Sequence, residues 1–186
     1  MGRFSKLRLP VDFACECGFA DRRWFMIANG PGGALVEAAL EIPIEVNGIV
    51  STGFCGALDP ALCVGDIVQH GIVCSDRVAV TAAEKAALRE KTGAAAVDME
   101  SAAVKRKAEE WGVPFRSVRA VSDVATEDLP LDFNLYRDSR GRFSPVRIAL
   151  AAISKPFRVI PGLLRLERNC RIAAESLGEF FVNSRL

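Results

Sequence analysis

Residues 94–124 read AAAVDMESAAVKRKAEEWGVPFRSVRAVSDV, and much of the fold can be inferred from their pattern. A short apolar run comes first, and a second one ends the stretch. Between them, apolar side chains recur at Val104, Ala108 and Trp111. The spacing i, i+4, i+7 predicts an amphipathic helix that begins at Ser101. The stretch therefore predicts a strand, a helix and a strand, the unit from which right-handed crossovers are built.

The segments that precede this stretch repeat the alternation of strand and helix. Apolar runs predict strands at 24–29, 48–52 and 67–74. The first strand ends in a glycine turn at 30–33, and the second ends in the run Gly53-Phe54-Cys55-Gly56. The pattern predicts an α/β fold: a single domain with a central, mostly parallel twisted sheet flanked by helices.

A further helix is predicted at 82–91. Thr81 lies three residues before Glu84, which is the spacing of a capping box. In that motif the two side chains satisfy backbone N–H groups that have no partner within the helix. The Thr92-Gly93 pair then ends the helix.

The composition becomes basic in the last part of the chain. Ser144-Pro145 is typical of a helix start, and arginines outnumber acidic residues from there on. We therefore expect one domain over residues 1–186. Its N-terminus (1–23) is expected to be irregular or atypical, and its tail (137–186) basic and helical.

The overall composition excludes several classes of protein. Of 186 residues, 50% are hydrophobic, and 24 Lys plus Arg nearly balance 23 Asp plus Glu. The chain therefore lacks the positive field of a nonspecific nucleic-acid binder. No run of about eighteen uncharged apolar residues occurs, and the first residues, MGRFSKLRLPVDF, lack a signal-peptide pattern. We expect a cytoplasmic protein with no nucleic-acid partner.

Six cysteines and one histidine, His70, are the residues most able to bind a transition metal. The cysteine spacing offers one close pair, Cys15-x-Cys17, and neither the paired cysteines of a zinc site nor a redox C-x-x-C motif. We expect reduced cysteines that mostly pack in the interior, with no metal and no cofactor.

Polar side chains stand where four of the predicted strands end, at Asn29, Thr52, Glu100 and Asp123. In an open parallel sheet, ligands bind beyond the carboxyl ends of the strands, so these positions are candidates for a site. A carboxylate there is also common as a helix cap. The structural role is the preferred interpretation for Asp98 and Ser101.

The glycine turn at 30–33 is a candidate anion site. A dinucleotide-binding fingerprint would need a third glycine where Leu35 stands, which argues against an oxidoreductase of that class. Backbone N–H groups at Gly30 and Gly32 could still hold phosphate at a helix start. A tight turn that requires glycine explains the same residues equally well.

Three blocks of sequence carry a resemblance to a known family. They are STGFCGALDPALCVGDIV (51–68), AVDMESAAV (96–104) and GVPFRSVRAVSDV (112–124). Together they resemble the superfamily of purine nucleoside phosphorylases and methylthioadenosine/S-adenosylhomocysteine nucleosidases. Within it, LDPAL, VDMES and the tail segments GRFSPVRI and KPFRVIPGLLRL look most like the hopanoid-associated phosphorylase branch. The resemblance extends from about Phe25 to the C-terminus.

The resemblance implies roles for residues in two of these blocks. The family's glutamate after methionine binds the ribose hydroxyls and the methionine packs on the sugar, which implies these roles for Glu100 and Met99. The family's aspartate in the Ser-Asp pair lies by N7 of the purine, which implies Asp123 with Ser122 beside it. Arg119 matches the arginine that precedes this pair.

The resemblance also implies further substrate-binding residues, and the chain departs from the family's pattern at two places. Phe54 stands where phosphorylases commonly have a phosphate-binding serine, and an N-terminal glutamate of the family has only Asp12, Glu16 and Asp21 as unaligned candidates. Val80 lies where the family recognises the base, although packing is an equally good interpretation. The candidate substrate contacts outside the main motifs are Thr52, Gly53, Phe54 and Val80, with Gly30 and Gly32 as candidate phosphate contacts.

The chemistry of glycosidic cleavage suits these residue types. The sugar gains positive charge in the transition state, while the departing purine gains negative charge unless it is protonated. Glu100, as a carboxylate at the sugar, would stabilise the positive charge. Asp123, as an acid at the base, would protonate the departing purine. To be protonated near neutral pH, Asp123 would need burial or a neighbouring anion.

The sequence therefore predicts an enzyme that cleaves the N-glycosidic bond of a purine nucleoside, with a 5′-modified adenosyl compound as the favoured substrate. Phosphorolysis and hydrolysis both stay open, so inorganic phosphate is an open second substrate. The alternative is a degenerate, non-catalytic member that binds a nucleoside or nucleobase. We also expect a homo-oligomer, and for the basic tail ordinary packing is preferred to contact with a membrane.

Overall fold

The computed structural model describes residues 5–6, 13–19, 22–30, 32–41, 45–138 and 141–184. Within these residues the chain forms two β-sheets and five α-helices. The strands are β1 (Ser5–Lys6), β2 (Phe13–Phe19), β3 (Arg22–Ala28), β4 (Ile49–Ala57), β5 (Ile67–Val68), β6 (Ile72–Cys74), β7 (Ala96–Asp98) and β8 (Phe115–Asp123). The helices are α1 (Gly33–Ala39), α2 (Ala82–Thr92), α3 (Ser101–Glu110), α4 (Pro145–Ser154) and α5 (Pro156–Asn183), and a short 3₁₀ helix spans Phe133–Tyr136.

The larger sheet has five strands in the order β5-β8-β4-β7-β6. Its two long central strands, β4 and β8, run parallel and pair from Ile49 opposite Phe115 to Gly56 opposite Asp123. Small buried side chains such as Ala57, Ala96 and Val121 form the core around these strands. The α/β class inferred from the sequence is therefore confirmed.

The sheet is mixed rather than mostly parallel. The pairs β4–β8 and β6–β7 are parallel, whereas β4–β7 and β5–β8 are antiparallel. The antiparallel pairs are short, since β7 meets β4 only at Val97 and Ala96. Periodicity predicts a strand but not its direction, which is why the sequence did not indicate these two pairings.

Two predicted strand boundaries are wrong for a reason that involves glycine. The run Gly53–Gly56 does not end β4 but continues it, because its glycines allow β8 side chains to come close. The predicted strand 67–74 is instead two strands, β5 and β6, on opposite edges of the sheet. Gly71 has a φ of 67° between them, a conformation that favours glycine and interrupts a strand.

The helices agree closely with the sequence. At α2 the Thr81 side chain accepts from the Glu84 backbone and the Glu84 side chain binds the N-cap backbone, so the capping box is present. Ser144 caps α4 in the predicted position, and α5 begins at Pro156. The helix α5 packs across β8 and buries Val159 and Ala173. The helices α3 and α5 are the ones that pack against β8.

The N-terminal part differs from the expectation of an irregular segment. The described parts of 1–23 contribute β1, β2 and the start of β3, which form a separate antiparallel sheet. Strand β2 pairs with β3 along its whole length, from Phe13 opposite Ala28 to Phe19 opposite Arg22. Of the three unaligned acidic candidates, Glu16 lies in β2, while Asp12 and Asp21 lie outside the described residues.

The long helix α5 does not have the composition of a membrane span. None of the described helices has a stretch that is both long and apolar enough to cross a bilayer.

Candidate active site

A buried arginine joins the two motifs that contain the candidate carboxylates. Arg119 is 1% exposed in the middle of β8, and its Nε donates to Asp98 Oδ2 at 2.8 Å. Its Nη2 donates to Ser51 Oγ at 2.8 Å. Asp98 Oδ1 in turn accepts from Ser101 Oγ at 2.7 Å. Asp98 and Ser101 thus have the structural contacts that the sequence favours for them.

Glu100 lies directly above this network at the start of α3. Its Oε1 accepts from the Gly32 backbone N–H at 2.9 Å, and its Oε2 lies 3.6 Å from Arg119 Nη2. Burial raises the pKa of the Glu100 carboxyl, and the nearby Arg119 guanidinium opposes that rise. The carboxyl is therefore held in place by two donors while one edge stays 21% exposed.

Met99 lines a cavity of about 260 Å³ next to Glu100. Gly32 and Gly33 form one wall of this cavity, and the Arg106 and Arg137 side chains reach its rim. The Arg137 guanidinium is fixed by the carbonyl oxygens of Gly141 and Asp76, each at 2.9 Å. The sugar-side candidates, Glu100 and Met99, are thus brought together with Arg119 and the glycine turn.

Asp123 lies at the far end of β8 and has a different set of partners. Its Oδ1 accepts from Ser122 Oγ at 2.8 Å, and its Oδ2 lies 2.7 Å from Lys85 Nζ. Lys85 is completely buried, and Asp123 is 16% exposed. Gly56 in β4 allows this approach, since a β-carbon there would lie 3.0 Å from Asp123 Oδ2.

The surroundings of Asp123 agree only in part with the sequence, which predicts burial or a neighbouring anion. The Asp123 side chain is 16% exposed, and its charged neighbour is the Lys85 ammonium group rather than an anion. The structure also leaves the two halves of the site apart: Met99 lines the cavity near Glu100, and Asp123 lines a narrow cleft against α5.

The remaining candidate substrate contacts lie on β4 and just before α2. Thr52 and Phe54 point to the exposed side of β4, and Phe54 is 41% exposed. Gly53 packs against Arg119, because a β-carbon there would lie 3.2 Å from its Nη1. Val80 is tied by its backbone to Glu84 and to Leu129, which lines the Asp123 cleft.

The glycine turn has the backbone conformation of a tight turn. Gly30 and Gly32 have φ values of 82° and 111°, which favour glycine. The Gly32 N–H already donates to Glu100, so a bound phosphate would have to share or displace that bond. Asn29 is buried and donates to the Leu35 carbonyl at 2.8 Å, so it holds the turn rather than facing the cavity. Pro31 lies outside the described residues.

Sequence reasoning missed Lys85, the residue most intimately paired with Asp123. Its signal was present: Lys85 precedes Leu88 by one helical turn, and Leu88 packs against the core. A charged residue on the core-facing side of a helix needs a partner. The pattern could have shown that a buried partner exists, but not that it is Asp123.

A sequence profile of the phosphorylase superfamily matches residues 71–153. Over these residues the chain is similar to the phosphorylase superfamily. The match contains the candidate residues on both sides of the site, from Met99 and Glu100 to Asp123. The candidates on β4 and in the glycine turn lie before it.

Two curated nucleosidases are similar to this chain in sequence. The 5′-methylthioadenosine/S-adenosylhomocysteine nucleosidase of Shewanella sp. (strain W3-18-1) is 32% identical over 120 residues, which are 64% of this chain and 46% of that protein. The protein of the same name from Shewanella halifaxensis is 30% identical over 122 residues, or 66% of this chain and 49% of that protein. The chain spans about half the length of the curated relatives it matches.

Solved structures from the phosphorylase superfamily share the fold. The S-adenosylhomocysteine nucleosidase of Streptococcus pyogenes, solved with 5-methylthiotubericidin, superposes with a TM-score of 0.68 at 15% identity, covering 98% of this chain and 89% of that one. The Campylobacter jejuni 5′-methylthioadenosine/S-adenosylhomocysteine nucleosidase gives 0.64 at 16% identity, covering 98% and 90%. At these identities the likeness supports the fold alone.

Proposed function

We propose that the protein cleaves the N-glycosidic bond of a purine nucleoside, with a 5′-modified adenosyl compound as substrate. The observation that carries the proposal is the superfamily match, because it includes Met99, Glu100 and Asp123. The curated relatives are named for 5′-methylthioadenosine and S-adenosylhomocysteine, both adenosyl compounds with sulfur at the 5′ carbon. These names support an adenosyl substrate for this chain.

On the sugar side, Glu100 accepts hydrogen bonds from the ribose hydroxyls. Gly32 and Arg119 orient its carboxyl group, and Met99 provides an apolar surface for the sugar in the adjoining cavity. As the glycosidic bond lengthens, the sugar becomes positive, and the nearby carboxylate stabilises that charge. Glu100 therefore binds the sugar more strongly in the transition state than in the ground state.

On the base side, Asp123 contacts N7 of the purine and takes part in its protonation. A purine that leaves as a neutral base avoids the negative charge that would otherwise build up on it. Ser122 and Lys85 hold the two carboxyl oxygens of Asp123. For one nucleoside to reach both halves of the site, substrate binding must open the Asp123 cleft towards the Met99 cavity.

Water is the proposed nucleophile. The Gly32 N–H, a candidate phosphate donor, is occupied by Glu100, and Phe54 stands where phosphorylases commonly have a serine. The curated relatives are also named as nucleosidases. Phosphorolysis stays the alternative because the Arg106 and Arg137 guanidinium groups at the cavity rim would suit an anion.

A non-catalytic protein that binds a nucleoside or nucleobase is the second candidate. The observation that favours it is the separation of Met99 and Asp123 into different cavities. A protein of this kind would bind a purine at one half of the site without bringing the acid to the bond. The likeness to the hopanoid-associated branch, which implies an adenosylated lipid, stays a prediction from sequence.

The decisive experiment measures release of free base by the purified protein. Adenosine, inosine, 5′-methylthioadenosine and 5′-deoxyadenosine are each incubated with and without phosphate, and the sugar product is identified. The proposal expects adenine release from an adenosyl substrate at a rate that does not depend on phosphate. Formation of a sugar 1-phosphate would identify phosphorolysis, and saturable binding without release of base would support the non-catalytic alternative.

A further inference from the structure

The buried lysine of α2 lies outside the motifs that carry the proposed function. The side chain of Lys85 is 0% exposed, and its ammonium group contacts three acceptors. They are Asp123 Oδ2 at 2.7 Å, the Val124 carbonyl at 2.7 Å and the Glu127 carbonyl at 3.1 Å. Each of the three ammonium protons therefore has a partner, which offsets the cost of burying the charge.

These contacts join α2 to the end of β8 and to the turn that follows it. The turn 124–127 leads directly into the segment that lines the Asp123 cleft. The capping box at Thr81 and Glu84 fixes the start of α2, one turn before Lys85. The position of the Asp123 carboxyl group is therefore set from the helix as well as from its own strand.

The other groups that face Asp123 do not compete with Lys85 for it. From β4, Cys55 has a thiol whose pKa is raised by burial to about 12, so it stays neutral. From α5, burial also raises the pKa of the Cys170 thiol, and Asp123 adds to the rise. Glu127 and Arg165, which line the cleft, form an ion pair with each other at 3.4 Å. Ser122, the neighbour in β8, is an uncharged donor.

We propose that Lys85 is a positioning residue of the nucleoside site, which holds the Asp123 carboxyl group in the orientation that faces the base. The inference rests on the proposed function, because it assigns a role to a residue that acts through Asp123. Lys85 itself does not touch the substrate. Its ammonium group holds Oδ2, and Oδ1 is left to Ser122 and the purine.

The role has a direct geometric consequence. Without the ammonium group, Asp123 Oδ2 loses the contact at 2.7 Å that fixes it, and the carboxyl group can turn away from the base. The chemical step then slows more than substrate binding weakens, because Lys85 does not touch the substrate.

The first test compares Lys85→Gln with a control on the same helix. Arg89, one turn further along α2, forms an ion pair with Asp59 at 3.0 Å that is 39% and 32% exposed, so Arg89→Gln removes a charge from α2 without touching Asp123. In Lys85→Gln we expect kcat to fall roughly 10- to 100-fold with KM changed less than about threefold. Arg89→Gln should leave both kcat and KM close to those of the wild type.

Two further variants establish whether Lys85 acts through Asp123. Lys85→Arg, which keeps the cation, should lower kcat less than Lys85→Gln does, and Lys85→Gln should lower kcat little further when it is added to Asp123→Asn. A Lys85→Gln protein with the kcat and KM of the wild type and of Arg89→Gln would overturn the inference. An equal fall in kcat with and without the Asp123 carboxyl group would also overturn it, because it would leave Lys85 only a structural role.

A measurement on the wild type separates this inference from the proposed function and does not depend on whether a variant folds. Labelling with ¹⁵N and ¹³C lets the Lys85 ammonium group and the Asp123 carboxyl group be followed by NMR on addition of adenine. We expect the two signals to shift together as adenine binds. If no nucleoside is cleaved but both signals respond, the proposed reaction fails and the coupling stands; if neither responds, the coupling fails.

Discussion

At the scale of single residues, the site is organised by two buried cations. Arg119 is 1% exposed and paired with Asp98, and Lys85 is 0% exposed and paired with Asp123. Each cation lies beneath one of the proposed substrate contacts, since Arg119 also approaches Glu100. A buried ion pair adds little net stability, but loss of one partner leaves an uncompensated charge in the interior. These residues are therefore expected to be sensitive to substitution.

The first prediction concerns Arg119. Replacement by Met leaves the Asp98 carboxylate buried without its ionic partner, so we expect the free energy of unfolding to fall by roughly 3–5 kcal/mol. The matched control is Arg106→Met in α3, which breaks an exposed ion pair with Glu37 and should cost less than about 1 kcal/mol. Urea unfolding at neutral pH measures both. Equal losses for the two variants would contradict the account.

The second prediction concerns the pH dependence that Glu100 gives to stability. Its pKa is raised by burial above the ordinary 4.5, so the folded state holds this proton more tightly than the unfolded chain. Its favourable contribution is therefore complete below pH 4.5 and is lost as the pH rises through the raised value. Urea unfolding is measured from pH 4 to 8 for the wild type and Glu100→Gln. We expect the wild type to lose stability relative to the variant across this window; a relative gain would contradict the assignment.

The residue types at the site were predictable from the sequence, but their pairing was not. The resemblance supplied Glu100 and Asp123, and helix capping explained Asp98. The partner of Asp123 is 38 residues away on another element, so it becomes visible only when α2 is docked against β8. No local pattern predicts a contact over that distance, so the sequence predicts burial or a neighbouring anion for Asp123 and does not indicate the lysine.

At the scale of elements, α5 closes the Asp123 side of the sheet. It packs along β8, and its first half approaches the loop that follows the cleft. Gly162 is the point of closest approach, because a β-carbon there would lie 2.6 Å from Pro130 Cβ. The fit between helix and loop thus depends on the absence of a single side-chain atom.

The third prediction uses two glycines of the same helix. Gly162→Ala should force α5 away from Pro130 and destabilise the protein by roughly 1–3 kcal/mol. Gly178→Ala, where nothing lies within 4 Å of the new atom, should instead stabilise it by up to about 1 kcal/mol. Thermal unfolding of the two variants distinguishes these effects. A Gly162→Ala protein as stable as Gly178→Ala would show that α5 is not seated as described.

Elements with strong local signals were predictable, and those defined by pairing were not. The capping box located α2 within one residue of its end, and the amphipathic pattern located α3. By contrast, the glycines of β4 looked like a strand end, because close contacts with Arg119 and Asp123 are needed to explain them. Strand direction likewise depends on partners that are distant in the chain.

At the scale of the whole molecule, assembly into a homo-oligomer stays a prediction, and the exposed apolar surface is the feature that bears on it. Large apolar side chains on α4 and α5 are exposed, among them Phe157 at 97% and Ile153 at 71%. The preferred interpretation of the tail, ordinary packing, does not hold for these side chains within one described chain. Static light scattering should give a mass that is a multiple of 20.1 kDa; a mass of one chain would count against assembly.

The central claim is that β8 and the start of α3 present one catalytic nucleoside site, with Glu100 at the sugar and Asp123 at the base. The most direct measurement is the rate of adenine release from 5′-methylthioadenosine by the wild type, Glu100→Gln and Asp123→Asn, with Arg89→Gln as the control for folding and handling. We predict measurable release by the wild type and the control, and a loss of at least about 100-fold in each carboxyl variant. Unchanged release in either carboxyl variant, or no release by the folded wild type, would contradict the account.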